Sequence, residues 1–192
     1  MTFSLSDLIK AAERQASGKD APPVETWNPQ NCGKMDLVIK RDGTWMHEGS
    51  PIGREKLVKL FATILRTDDD GTTYLVTPVE KIEITLEDAA FTAIRVDAAG
   101  QGEAQDLIFT TNVGDTVKAS AERPLRVEID PKTGEPSPYI LVRGRLEALL
   151  GRAVFYELVE LAVERQTDDG PQLGVWSGGV FFALGEAGGH LG

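Results

Sequence analysis

The sequence predicts an α+β fold of two repeat-related lobes. The first is an N-terminal α/β roll-like sheet with one packed helix, and the second is a C-terminal, mostly antiparallel β roll/barrel-like sheet with one packed helix. Three observations carry this reading. Short runs with period-2 alternation outnumber helical stripes. Turn signals, not crossover-length segments, separate the runs, so the strands pair mainly as antiparallel hairpins. A strand–turn–strand–helix plan also occurs twice: Arg66-Thr-Asp-Asp-Asp-Gly71 at the end of the first copy returns as Arg165-Gln-Thr-Asp-Asp-Gly170 at the end of the second. The domains expected are an N-terminal amphipathic helix and connector over 1–21, an α+β domain over 22–86, a β-rich domain over 87–186 and a disordered tail over 187–192.

The chain opens on a helix from Ser4 to Gln15. Ser4 supplies a cap, Asp7 sits in the first turn, and Leu5, Leu8, Ile9 and Ala12 share one face. Gly18 to Pro29 reads as a connector, because Pro22-Pro23 and Asn28-Pro29 forbid helix, with Trp27 as its apolar anchor or, on the competing functional reading, a lip over a ligand pocket. Leu37, Ile39 and Trp45 alternate with Lys40, Asp42 and Thr44 about an Asp42-Gly43 turn, a strong short hairpin signal. Gly49-Ser50-Pro51 ends the second strand. Leu57, Leu60, Phe61, Ile64 and Leu65 then form one helical stripe, with Leu60 near its centre.

Beyond that helix, Thr73–Thr77 and Glu80–Leu86 alternate as strands. Ala90–Val96 and Asp106–Thr111 flank a glycine-containing hairpin loop, and Asn112–Val117 adds a turn and a short strand. Leu125–Ile129, the turn Asp130–Glu135 and Tyr139–Val142 restate the opening hairpin. A second helix is expected over Arg152–Arg165, and Val175–Leu184 closes the sheet. Both Asp-Asp-Gly segments read as solvated turns that reverse the chain after a helix, with Gly taking the left-handed conformation.

Composition narrows the function classes. The chain has 192 residues, a net charge of −10 and no clustered Lys/Arg run, so a nucleic-acid partner is not expected. No apolar run reaches membrane-span length. The N-terminus lacks a secretory layout and Cys32 is the single cysteine, which together point to a reducing cytoplasm.

Catalytic patterns fail on inspection. Gly174-Val-Trp-Ser-Gly178 lies in a strand, not at the strand-to-helix turn of a nucleophile elbow. Gly100-Gln-Gly-Glu-Ala-Gln105 lacks the third glycine of a dinucleotide loop. His47 and His190 are the only imidazoles, no helical His-Glu-x-x-His occurs, and a Cys32–His47 nucleophile pair competes with a plain packed thiol in a loop. As an EF-hand, the Asp68–Asp70 cluster would start on Arg66 and end on Thr77, so it is read as a turn and not as a metal site. No cofactor is expected.

Five segments in order resemble a known family: Asn31-Cys-Gly-Lys-Met-Asp36, Arg41-Asp-Gly-Thr-Trp45, Glu48-Gly-Ser-Pro-Ile-Gly-Arg54, Thr77-Pro-Val-Glu-Lys81 and Ala153-Val-Phe-Tyr-Glu-Leu-Val-Glu-Leu161. Together they are similar to a proteobacterial domain-of-unknown-function family, DUF1285, over nearly all of the chain after the first helix. The resemblance implies an N-terminal α/β part and a C-terminal β-roll-like part related as repeats, with a signalling or small-ligand-binding role. It carries over no catalytic residues.

The residues singled out for ligand contact are Trp45, His47, Arg54, Tyr139 and Arg143, on or just after the second strands of the two hairpins. Brought to a crevice between the lobes, they would offer a cationic fork and an aromatic wall to a small anionic ligand. The competing reading makes Trp45 core and pairs the arginines with surface carboxylates. The function expected is a non-catalytic small-ligand-binding, signalling or protein-interaction module. The alternative is a small hydrolase or transferase.

Overall fold

A computed structural model describes residues 4–16 and 21–188 of the chain. The tail from 189 onward and the first residues of the connector, 17–20, lie outside the described residues. The fold is α+β, with three helices and fifteen mostly short strands among the described residues. The chain divides into two compact units, Met1–Ala90 with Gly144–Leu146, and Phe91–Arg143 with Glu147–Gly192.

The first unit opens with α1 (Leu5–Gln15), whose Ser4 cap accepts a hydrogen bond from the Asp7 amide at 3.3 Å. Its Leu8 and Ala12 are buried, and α1 packs on α2 (Glu55–Thr63). The sheet comprises β1 (Gln30–Ile39), β2 (Trp45–His47), β3 (Ser50–Pro51), β4 (Leu65–Thr67), β5 (Thr73–Val76) and β6 (Glu80–Leu86), in the order β3-β2-β1-β6-β5-β4. Every neighbouring pair is antiparallel except the central one, β1 with β6, which is parallel. Met35, Leu37 and Ile39 of β1 are buried together with Trp45, Phe61, Leu75 and Ile82. Period-2 alternation puts the β1 residues on one face, where they form the unit's core.

The second unit begins with β7 (Phe91–Ala99), β8 (Asp106–Thr111), β9 (Thr116–Lys118), β10 (Leu125–Ile129), β11 (Pro136–Arg143) and β12 (Leu146–Leu150), in the order β10-β11-β12-β7-β8-β9. Here too the first and last strands, β7 and β12, form a parallel central pair. Each six-stranded sheet is therefore two three-stranded meanders joined along their first and last strands. After β12 come α3 (Arg152–Leu161) and a separate antiparallel sheet of β13 (Val163–Thr167), β14 (Gly170–Ser177) and β15 (Val180–Glu186).

The element order strand, strand, strand, helix, strand, strand recurs between β1–β5 and β10–β14, but its hydrogen bonding does not. In the first unit the meander after the helix joins the sheet through β6, whereas β13–β15 stand apart and β7 fills the corresponding place. Both helices end earlier than their apolar stripes imply: α2 stops at Thr63, and Leu65-Arg66-Thr67 is strand; α3 stops at Leu161, and Arg165 lies on β13. The two Asp-Asp-Gly turns consequently connect strands and are not helix exits. Gly71 and Gly170 have φ of 82° and 107°, the left-handed region that favours glycine in such turns. Pro51 does not end the strand system either, because Ser50–Pro51 pairs with β2 as a short edge strand where a missing N–H is tolerated. The closing strand expected over 175–184 is a hairpin of two strands about Gly178-Gly179.

Candidate functional site: a charged cleft in the N-terminal unit

Residues on β4 and in the turn after it build a charged wall. Arg66 and Asp68 are two residues apart on an extended backbone, so their side chains project the same way. Arg66 is 7% exposed. Its Nε donates to Asp68 Oδ1 at 2.6 Å, and its Nη1 donates to two carbonyl oxygens, those of Val24 and Trp27, each at 2.7 Å. Lys81 on β6 donates to Asp68 Oδ2 at 2.7 Å and stands 4.4 Å from the centre of the Tyr74 ring. Asp69 pairs with Arg145, and Asp70 Oδ1 accepts the Thr72 amide at 2.8 Å, closing the turn. Burial raises the Asp68 pKa, but the bonds from Arg66 and Lys81 outweigh it and hold the carboxyl below its ordinary value.

This wall faces an open cleft of about 490 Å³ lined by Glu25, Thr26, Trp27, Asn28, Arg66, Asp68, Asp69, Asp70 and Arg145, all within the first unit. Trp27 is only half-buried here, and the connector is anchored through buried Pro22 and Val24 and the Arg66 bonds. Asp68 is committed to two cations, and among the described residues no group of three or more His, Cys, Asp or Glu side chains could hold a metal ion. What the cleft offers chemically is fixed charge of both signs, hydrogen-bonding groups and an indole.

The residues singled out from sequence fall in different places. Trp45 is 2% exposed, stacks on Phe61 with ring centroids 6.3 Å apart, and belongs to the core. His47 is half-buried on β2, and Arg54 is exposed at the start of α2. In the second unit Tyr139 is buried, with the Arg126 guanidinium 4.3 Å from its ring centre, and Arg143 stands 5.6 Å from the ring centre of Phe91. None of the five lines the cleft. The sequence reads Asp68 only as part of a solvated turn and Arg66 as the polar end of a helical stripe, and nothing local marks Arg145. The signal in the sequence is Ile64-Leu65-Arg66, a cation directly after an apolar run with an Asp two places on.

The rejected nucleophiles have clear structural roles. Ser177 is fully buried; its Oγ donates to the Ala119 carbonyl at 2.7 Å and accepts the Leu107 amide at 2.9 Å. Cys32 is on β1, not in a loop, and its Sγ lies 3.5 Å from the Gln30 carbonyl oxygen. His47 pairs with Leu37, five residues along β1 from Cys32, which separates the two by about 16 Å at the usual strand rise.

Comparison with known proteins follows the same two-part division. Family models for the N-terminal and C-terminal domains of DUF1285, a protein of unknown function, match residues 22–89 and 90–184. A search of curated proteins finds no significant match. A crystal structure of a DUF1285 family protein from Silicibacter pomeroyi DSS-3 is 46% identical, with a TM-score of 0.84 over 94% of this chain and 96% of its own. A second, from Shewanella baltica OS155, is 29% identical, with a TM-score of 0.51 over 65% of this chain and 90% of its own. No helix among the described residues is long and apolar enough to cross a membrane. Matched by both family models across most of its length and by a full-length relative at 46% identity, the chain belongs to the DUF1285 family.

Proposed function

We propose that the protein is a non-catalytic module that binds a small polar ligand, or a charged segment of a protein partner, in the cytoplasm. The observation that carries this reading is the cleft of the first unit. Its rear wall is immobilised by the Arg66–Asp68–Lys81 network, while Glu25, Asn28, Asp70 and the Trp27 indole line the open volume. A wall fixed before binding reduces the ordering cost of association. The supporting electrostatic argument is that Asp68 and Asp69 are paired with cations, so Glu25 and Asp70 are the lining carboxylates without an ion-pair partner among the described residues. Location rests on the lone Cys32, which can form no intrachain disulfide.

The test is a thermal-shift panel of nucleotides, sugars, carboxylates and amines, since a ligand that binds only the folded state stabilises it by RT ln(1 + [L]/Kd). A hit should lose about tenfold or more in affinity on Glu25→Gln or Asp70→Asn, as read by calorimetric titration. Failure of the whole panel to raise the melting temperature would remove the cleft as a small-molecule site. Arg54 and Arg143 are kept as proposed contacts for a small anionic ligand, with Arg54→Ala and Arg143→Ala titrated beside the cleft variants. Unchanged affinity for every anionic hit would leave both as surface residues.

A further inference from the structure

Residues 22–28 form one wall of the cleft, contributing Glu25, Thr26, Trp27 and Asn28 of its nine lining residues. Their own backbone bonds are local: the Val24 amide donates to the Pro22 carbonyl, Thr26 to Pro23 and Trp27 to Val24. The Thr26 hydroxyl turns back to the Pro23 carbonyl in the same way. Among the described residues, the hydrogen bonds that tie this segment to the rest of the unit both come from one atom, Arg66 Nη1, to the Val24 and Trp27 carbonyls. Two prolines at 22 and 23 remove the amides that could otherwise have paired with a neighbouring strand. The Arg66 guanidinium is itself held from the opposite edge by Asp68, which Lys81 grips in turn.

We infer that residues 22–28 are a strap clasped by Arg66, which opens and closes as one element, and that the cleft exists only while the strap is closed. Opening removes four of the nine lining residues in a single step. It breaks two charge-assisted bonds and exposes the buried Pro22 and Val24, while every pairing of the six-stranded sheet stays in place. Such a transition is a local opening with its own free energy, separate from global unfolding. A ligand seated against Trp27 and Arg66 would hold the strap shut.

The test is amide hydrogen exchange on the full chain without ligand, so its outcome is independent of whether the ligand panel succeeds. Arg66→Lys keeps a positive charge, but its single ammonium cannot hold Asp68 through one nitrogen and the two carbonyls through another, as the guanidinium does with Nε and Nη1. Exchange at the Val24, Thr26 and Trp27 amides should speed up about tenfold or more, while the Leu75 and Ile82 amides on β5 and β6 keep their wild-type rates. Asp68→Asn, which loosens the Nε anchor but leaves the guanidinium, should give a smaller acceleration at the same three amides. It serves as the reading variant if Arg66→Lys does not fold. Unchanged strap exchange overturns the clasp; equal acceleration of strap and sheet amides overturns the strap as a separate element.

Discussion

Arg66 and Asp68 are held side by side at the end of β4, with Arg66 Nε and Asp68 Oδ1 2.6 Å apart and both side chains largely buried. A partly desolvated carboxylate is stable there only because Lys81 reaches its second oxygen at 2.7 Å, so the three groups stand or fall together. The guanidinium carries the same order outward to the Val24 and Trp27 carbonyls. One short edge strand thus organises a turn, a strand contact and the segment that walls the cleft.

The pH dependence follows from Asp68. Burial raises its pKa, the Arg66 and Lys81 bonds lower it more, and the net value lies below the ordinary 3.8. A carboxyl depressed in the folded state stabilises the fold at pH above its unfolded pKa and loses that contribution as pH falls through the folded one. Wild type should therefore exceed Asp68→Asn by about 1–3 kcal/mol at neutral pH. The gap should narrow below about pH 4. Urea unfolding of both proteins across pH checks this; a gap that stays constant down to about pH 2 would mean that Asp68 is not the titrating group.

Phe61 should be the costly truncation on α2. Its side chain is fully buried against Trp45, whereas Leu60, which the helical stripe places at the centre of the buried face, is only half-buried. Phe61→Ala should cost about 3–5 kcal/mol and Leu60→Ala clearly less, because the cavity term needs a fully enclosed site. Denaturant midpoints of the two variants decide it, and an equal loss would place Leu60 in the core after all.

Ser177 links β14 to the β8 and β9 region through a hydroxyl that is at once donor and acceptor. Ser177→Ala leaves the buried Leu107 amide and Ala119 carbonyl without that partner, and should cost about 1–3 kcal/mol with little change in fold. Chemical unfolding measures the loss. A neutral result would show that both backbone groups find replacement partners in solution.

What was legible in the sequence was local, and what was not depended on pairing at a distance. Ser4 as a cap, Asp42-Gly43 as a turn and the Glu80–Leu86 strand are settled within a few residues by capping, turn geometry and alternation. The parallel pairs β1–β6 and β7–β12 join segments roughly fifty residues apart, and no local pattern marks them. Leu65-Arg66 and Val163–Arg165, the first residues of β4 and β13, read as helix ends because three to five residues cannot separate a helical period from an alternating one. The same ambiguity conceals the cleft wall, since Arg66 in sequence has the place of a helix's polar end. The matched arginine of the second copy took another course: Arg165 lies over the rings of Trp176 and Phe181, at 4.9 and 5.4 Å from their centres. Equivalent sequence positions therefore supply a clasp in one unit and a ring contact in the other.

The turn between β2 and β3 makes the final prediction. His47 pairs with Ser50 across Glu48-Gly49, and both turn residues have positive φ, 48° and 75°. That combination is the two-residue hairpin turn whose twist matches the flanking strands, and it favours Asn or Gly at the first position. Glu48 is the one described non-glycine residue in the left-handed region, where a Cβ crowds the following carbonyl. The Glu48 side chain is exposed and has no hydrogen bond or ion pair among the described residues, so replacing it sacrifices no contact. Glu48→Asn should stabilise the protein by about 0.5–1 kcal/mol. Glu48→Val should destabilise it by a similar amount, because a β-branched side chain resists positive φ. Urea unfolding of the pair supplies the measurement. If Asn and Val shift the midpoint in the same direction, the left-handed conformation at position 48 is not what sets the stability of this turn.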